Sequence, residues 1–275
     1  MNVLPPHQPS KRFGQHFLAD PRVVDRIIQA FAPKQNETVV EIGPGTGALT
    51  RVLLHRVARL IAIEFDRNLV LPLKKEFGDR DNFKLIEGDA LTINFCEAMK
   101  PAQNARLIAN LPYNISTAIV QQLISQRRCV SEMVVMLQRE VVERMIAPPG
   151  SSDRGYFSVL LEVYSKIDKL FDVAPGSFTP PPKVWSTVIR LSFRPAALVE
   201  ARHEALLWSV VSAGFAQKRK TIVNNFRNAS GALQGVLKRN GGASIVLCKA
   251  GVEVSRRAET LTVNEWINIT HALLA

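Results

Sequence analysis

The sequence predicts an α/β protein: a mostly parallel sheet covered by helices on both faces, followed by a small α-helical domain. Three observations predict it. Short apolar runs alternate with helix-compatible stretches through the first two thirds of the chain. A glycine-rich turn, Gly43-Pro44-Gly45-Thr46-Gly47, follows one of the earliest runs. After Arg194-Pro195 the strand-like alternation stops.

The expected strands are Thr38–Ile42, Leu60–Glu64, Phe83–Glu87, Arg106–Asn110 and Met133–Gln138. Between them the pattern predicts helices over Ala48–Arg56, Leu69–Phe77, Ile115–Gln126 and Arg139–Ile146. Strand–helix alternation of this kind needs crossover connections, and therefore parallel strands. Two further strands, Ile167–Val173 and Val184–Phe193, have no helix between them, only a link punctuated by Pro175 and Pro180–Pro182. They are expected to form an antiparallel edge hairpin. Beyond residue 195 the stretch His203–Phe226 carries Leu206, Leu207, Val210, Val211 and Phe215 at helical spacing. The expected organisation is an arm over residues 1–12, an α/β domain over 13–195 and a helical domain over 196–275.

The chain has 275 residues, 47% apolar and 21% charged, an ordinary globular composition. No apolar run approaches the ~20 residues needed to cross a bilayer, so no membrane partner is expected. The opening residues lack the apolar segment of a secretory signal. Three widely spaced cysteines, Cys96, Cys129 and Cys248, suggest neither a disulfide framework nor a metal site. Reduced thiols in a cytoplasmic protein are expected. The net charge is +11, which points to a polyanionic partner. Residues 201–275 hold ten Lys/Arg against four acids, so the helical region carries more than half of the surplus.

The sharpest local signal is Val39-Val40-Glu41-Ile42-Gly43-Pro44-Gly45-Thr46-Gly47: an apolar strand, a glycine turn, then a helix from Ala48. Glycines let the backbone turn tightly and approach a ligand. Gly43, Gly45 and Gly47 give G-x-G-x-G rather than the G-x-G-x-x-G of dinucleotide sites. That spacing, with Glu41 before it, resembles motif I of S-adenosylmethionine-dependent methyltransferases. Glu64 ends the next strand, where a carboxylate can accept both ribose hydroxyls of either cofactor. Asp89, followed by Ala90, ends the third and can accept a hydrogen bond from an adenine amine.

Asn110-Leu111-Pro112-Tyr113 directly follows the fourth strand. It resembles the tetrapeptide of amino-group methyltransferases, written [DNS]-P-P-[YFW]. An exocyclic amine is a poor nucleophile because its lone pair is delocalised into the ring. The Asn110 side-chain oxygen and the Leu111 carbonyl, held by the rigid Pro112, can accept its N–H bonds and free that lone pair. Tyr113 can stack on the base. Such catalysis rests on positioning and fixed dipoles, and needs no metal. A second aromatic, Phe178 in Ser177-Phe178-Thr179-Pro180-Pro181-Pro182-Lys183-Val184, is the candidate for holding the extruded base.

Several segments together resemble the KsgA-type small-subunit ribosomal RNA adenine dimethyltransferases, from about residue 10 to the C-terminus. They are Lys11-Arg12-Phe13-Gly14-Gln15-His16-Phe17-Leu18, motif I, Glu64, Asp89, Asn110–Tyr113, Phe178–Val184, Lys218-Arg219-Lys220-Thr221 and Asn224-Asn225. The resemblance implies a Rossmann-like S-adenosylmethionine methyltransferase fold with a seven-stranded sheet. It implies N6-dimethylation of two adjacent adenosines in the 3′-terminal hairpin of 16S rRNA, on a late pre-30S particle. No coiled-coil heptads suggest self-association, so a monomer is expected.

The resemblance assigns cofactor contacts to His16, Leu18, Gly43, Glu64, Asp89 and Asn110, and RNA contacts to a basic helix of the last domain; Gly45, Gly47 and Ala90, beside these residues, are expected to contact the cofactor as well. Lys11, Arg12, Lys218, Arg219, Lys220 and Arg227 are the expected phosphate-binding cations. Two positions depart from the pattern: His16 stands where Asn is frequent, and Ala216-Gln217 where a different polar or basic pair is usual. Three rival readings remain: an erythromycin-resistance-type enzyme acting on 23S rRNA, an assembly factor with a secondary catalytic role, and a nicotinamide dehydrogenase.

Overall fold

The computed structural model describes residues 15–274; Lys11, Arg12 and the rest of the expected arm lie outside them. A two-stranded antiparallel sheet pairs β1 (Phe17–Leu18) with β8 (Phe178–Thr179). The main sheet holds β2 (Thr38–Ile42), β3 (Arg59–Glu64), β4 (Phe83–Glu87), β5 (Ala105–Asn110), β6 (Val130–Gln138), β7 (Ser165–Val173) and β9 (Ser186–Phe193). Its spatial order is β4-β3-β2-β5-β6-β9-β7.

Strands β4, β3, β2, β5 and β6 run parallel, and β9 joins β6 antiparallel with Gln138 opposite Ser186. β7, although earlier in the chain, takes the edge outside β9. Every expected strand of this sheet is present.

The connecting helices are α1 (Pro21–Phe31), α2 (Ala48–Leu53), α3 (Arg67–Phe77), α4 (Phe95–Ala98), α5 (Ser116–Ser125) and α6 (Arg139–Met145). α1 begins where the Asp20 side chain accepts the Arg22 N–H, with Pro21 at its first position. It buries Val23, Val24, Ile27, Ile28 and Phe31, a stripe at helical spacing. That stripe meets Val39, Leu60, Ile108, Val134 and Val188, one from each of five strands, together with Leu53, Leu73 and Phe77. At ~1.5–3 kcal/mol per buried large apolar side chain, this cluster is the main reason the strand ends stay in register.

The cysteine expectation is corrected. Cys96 in α4 and Cys129 just before β6 form a disulfide, with Cα atoms 5.5 Å apart. Gln126 brings the two segments together: its carboxamide accepts the Phe95 N–H at 2.7 Å and donates to the Ile93 carbonyl at 3.1 Å. Nothing in the spacing of the cysteines announces that contact. Cys248 is free and exposed.

The chain divides into two compact units, one running to Val142 and resuming over Ile167–Phe193, the other comprising Glu143–Lys166 and everything from Arg194. The segment Glu143–Lys166, which a boundary at 195 assigns to the α/β domain, thus groups with the helical one. The second unit contains α7 (Tyr156–Tyr164), α8 (Glu204–Gly214), α9 (Ile222–Arg227), α10 (Gly231–Arg239), α11 (Ala243–Lys249) and α12 (Val263–Ala272). Trp266 of α12 is fully buried, and its indole fills the space a Cβ on Gly214 would need.

The expected basic helix is also corrected. α8 ends at Gly214, and Lys218, Arg219 and Lys220 lie in an exposed turn before α9. The turn is closed by Asn225, whose carboxamide donates to the carbonyls of Gly214 at 2.5 Å and Gln217 at 3.1 Å. Asn225→Ala removes both bonds from a buried site and is expected to destabilise the protein by about 1–3 kcal/mol. Denaturant unfolding followed by circular dichroism checks this; a midpoint equal to wild type would refute it.

Candidate active site

Because β2, β3, β4 and β5 are parallel and in register, Ile42, Glu64, Glu87 and Asn110 end at one edge of the sheet. The strand order reverses between β2 and β5, and open α/β sheets bind ligands at such a switch point. Gly43 and Asn110 flank it.

The glycine turn leaves β2 with Gly43, Gly45 and Gly47 all at positive φ. Two of them are also closely approached by aromatic rings. A Cβ on Gly45 would lie 3.0 Å from the Phe17 ring, and one on Gly47 would lie 2.8 Å from the Phe77 ring. Gly43 and Gly45 line the cavity at the switch point. Gly47, expected to contact cofactor, is not among its lining residues and packs against Phe77 instead.

Glu64 is 6% exposed at the cavity wall. One carboxylate oxygen accepts the Asp66 N–H at 2.8 Å and the other the Gly45 N–H at 3.3 Å. Burial pushes its pKa up, and these N–H groups oppose that push. Glu41, 1% exposed, accepts the Thr50 hydroxyl at 2.7 Å. Burial pushes the Glu41 carboxyl up to about 7 against that hydroxyl, and the Glu64 charge pushes the same way.

Asp89 and Ala90 line an adjoining cavity with Phe65, Leu91 and Ile115, and Asp89 also accepts the Leu91 N–H at 2.9 Å. Gly43 and Glu64 line both cavities.

Asn110, Leu111, Pro112 and Tyr113 line the same cavity as the glycine turn. The Asn110 carboxamide donates to the His16 carbonyl at 3.0 Å, which commits its nitrogen and leaves its oxygen as the end able to accept. The His16 ring stacks on Tyr113 with centroids 5.4 Å apart, and its Nδ1 bonds the Pro180 carbonyl at 2.8 Å. The Tyr113 hydroxyl meets Ser186 Oγ at 2.6 Å. Leu18 also lines the cavity.

Phe178 does not. It is 3% exposed, pairs with Leu18 across the small sheet and packs in the apolar core. The antiparallel pairing turns its ring inward, so in this structure it presents no face to a base. Lys218, Arg219, Lys220 and Arg227 are exposed cations of the second unit.

Sequence reasoning missed several wall residues. Gln15 lines both cavities and donates to Asp66 at 2.8 Å, and Phe17 lies over Gly45. Both sit in the N-terminal stretch, whose pairing with β8 no local pattern announces. Glu41 and Phe65 flank motif residues and were legible as neighbours, though not as wall.

A model of the ribosomal RNA adenine dimethylase family matches residues 7–269. The ribosomal RNA small subunit methyltransferase A of Pseudomonas putida is 40% identical over 273 residues, covering 99% of this chain and 98% of its own. The chain belongs to the ribosomal RNA adenine dimethylase family. The same-named protein of Nitrosococcus oceani is 41% identical over 271 residues, covering 98% and 97%. A dimethyladenosine transferase from Plasmodium falciparum superposes with a TM-score of 0.78 at 28% identity, covering 92% of this chain and 96% of that one.

The 23S rRNA methyltransferase ErmE superposes at 0.68 with 22% identity, covering 94% and 100%, a likeness of fold alone. The chain is thus an S-adenosylmethionine-dependent rRNA adenine dimethyltransferase, which removes the dehydrogenase reading.

The Glu41 environment sets a pH dependence in the unliganded dimethylase. Its folded pKa, about 7, lies above the ordinary 4.5, so the folded state holds the proton more tightly. The stabilisation is full below about 4.5 and is lost as pH rises through about 7, on the order of 3 kcal/mol in total. Glu64, raised as well, contributes with the same sign. In Glu41→Gln, thermal unfolding between pH 5 and 8 is expected to show a flatter profile than wild type. Parallel profiles would refute the assignment.

Proposed function

We propose that this dimethylase acts on two adjacent adenosines of the 3′-terminal hairpin of 16S rRNA, within a late pre-30S particle, converting each to its N6,N6-dimethyl form. The observation that carries the reading is that the glycine turn and the Asn110–Tyr113 tetrapeptide open onto one cavity. Donor and acceptor of a methyl group can therefore meet there. The relatives that are 40–41% identical over nearly their whole length are small-subunit methyltransferases, which favours this RNA over the large-subunit alternative.

The walls fit S-adenosylmethionine. A backbone bare of Cβ atoms at Gly43 and Gly45 allows close approach. The Glu64 carboxylate, buried and bonded to the backbone N–H groups of Gly45 and Asp66, suits a pair of ribose hydroxyls. Asp89 and Ala90 would take the adenine end, and His16 and Leu18 would enclose the cofactor. When bound, the cofactor supplies an electrophilic methyl group.

Everything else falls to side chains and backbone. The Asn110 oxygen and the Leu111 carbonyl accept the N–H bonds of the target amine, two in the first transfer and one in the second, which favours a pyramidal nitrogen with its lone pair directed along the line of attack. After each transfer the nitrogen releases one proton to water. Tyr113 stacks on the base, its ring held by His16 and Ser186. Fixed dipoles of this kind need no reorganisation during reaction. The target base must be unpaired or extruded, at a cost of a few kcal/mol when it starts in a helix.

The exposed cations Lys218, Arg219, Lys220 and Arg227 would bind phosphates and orient the RNA without reading it, and Lys11 and Arg12 would assist. In this reading, residues 13–195 carry catalysis and 196–275 RNA binding. The protein works as a monomer in the cytoplasm; the Cys96–Cys129 bond stands against the reduced thiols that compartment implies.

Asn110→Ala is expected to lower kcat on unmethylated small subunits by at least about 100-fold while the protein folds and still binds S-adenosylmethionine. Tritium transfer and calorimetry check the two halves. Full activity in the variant would defeat the mechanism, and label entering the large subunit would defeat the substrate.

A further inference from the structure

The tract between β8 and β9 is tied to the active site at both ends. Near its start, the Pro180 carbonyl bonds His16 Nδ1 at 2.8 Å. At its end, Ser186 Oγ meets the Tyr113 hydroxyl at 2.6 Å. Pro182 is buried between these anchors, and the next three residues, Lys183, Val184 and Trp185, are all exposed. The Trp185 carbonyl accepts the Arg139 N–H at 2.9 Å, so the backbone that carries the indole is fixed to the carboxyl end of β6. The side chain itself is 47% exposed.

A single exposed apolar residue needs no explanation. Leu71, more exposed still, sits on α3. Trp185 differs by position and company. It adjoins the residue that holds Tyr113, on a pinned strip, beside a lysine that heads the same exposed run. Indole is the largest π-face a side chain offers, and a half-exposed one on a fixed backbone loses little conformational freedom when a partner stacks on it.

We propose that Trp185, with Lys183, forms a second base platform on the rim of the site, stacking on the nucleotide next to the target adenosine while Lys183 binds the connecting phosphate. The inference rests on the RNA-methylating reading above. Extruding one base from a strand strips its neighbour of a stacking partner. An indole face replaces that partner, and an ammonium group on a flexible stem meets the phosphate as a point charge. Trp185 contacts the neighbour and not the reacting amine, so it acts on substrate binding rather than on methyl transfer. Purines stack more strongly than pyrimidines, so the platform favours a purine beside the target. Phe178, the aromatic expected in that holding role, is buried, which leaves Trp185 as the exposed ring of this tract.

The test uses the full chain, unmethylated small ribosomal subunits and short oligoadenylate. Trp185→Ala is expected to raise KM for the subunits by about 5- to 100-fold, with kcat within about twofold and S-adenosylmethionine affinity unchanged. Trp185→Phe should restore most of the loss, and Lys183→Ala should raise KM several-fold with a shallower salt dependence. Oligoadenylate should quench wild-type tryptophan fluorescence more than oligouridylate does, and W185F should lose that quench.

A KM for W185A within twofold of wild type overturns the proposal, as does a Phe variant no better than Ala. A raised KM without any oligoadenylate quench also overturns it, because it places a protein component of the particle on the indole. If wild type transfers no methyl group to the subunits, the parent reading fails, and the quench alone then decides the platform.

Discussion

One hydrogen bond organises the site: the Asn110 carboxamide donating to the His16 carbonyl. An asparagine side chain has a donor and an acceptor end that a free rotor presents equally. Committing the NH2 to a backbone carbonyl from a distant segment leaves the oxygen of this cavity-wall residue as the end able to accept. The same segment brings Phe17 over the glycine turn and Leu18 into the wall, and its ring at His16 stacks on Tyr113. A short strand pair, β1 with β8, therefore orients the acceptor, roofs the turn and steadies the base-stacking ring together.

Beneath it, the parallel sheet supplies placement. Each carboxyl-terminal residue is delivered by an apolar strand whose neighbours are set by hydrogen bonding, and helix burial against those strands resists any slip. A shift of one residue in β5 would turn Asn110 away from the cavity and put Leu111 in its place. Precision at the edge is thus a product of packing far from it. It explains why a reaction that relies on aligned dipoles can be run by residues that are individually unreactive.

The main sheet was legible in the sequence because its strands are short, apolar-rich runs bounded by turn residues, and Thr38–Ile42 and Phe83–Glu87 have the predicted limits. The glycine turn, Glu64, Asp89 and Asn110 were legible because each follows such a run. The Asp20-Pro21 start of α1 carried a readable cap signal that the strand-centred reading passed over. β1 and β8 were not legible: two-residue strands have no periodicity, and their partners lie far apart in the chain. The same blindness misplaced Phe178, whose exposure depends on that pairing, and hid the Cys96–Cys129 contact. Helical spacing continued past Gly214 in the sequence, but Asn225 captures two carbonyls there and ends the regular structure.

The contact between Phe17 and Gly45 has a further meaning for inheritance. A Cβ at 45 would lie 3.0 Å from the ring, close enough that the ring would have to give way. The two positions form one steric unit despite their distance in the chain. The left-handed backbone at 45 strains any side chain whatever the ring does, so a smaller residue at 17 does not by itself free the turn to grow. Lineages of this enzyme are therefore expected to keep the glycine while position 17 varies, so that the roof over the turn is remodelled from one side alone.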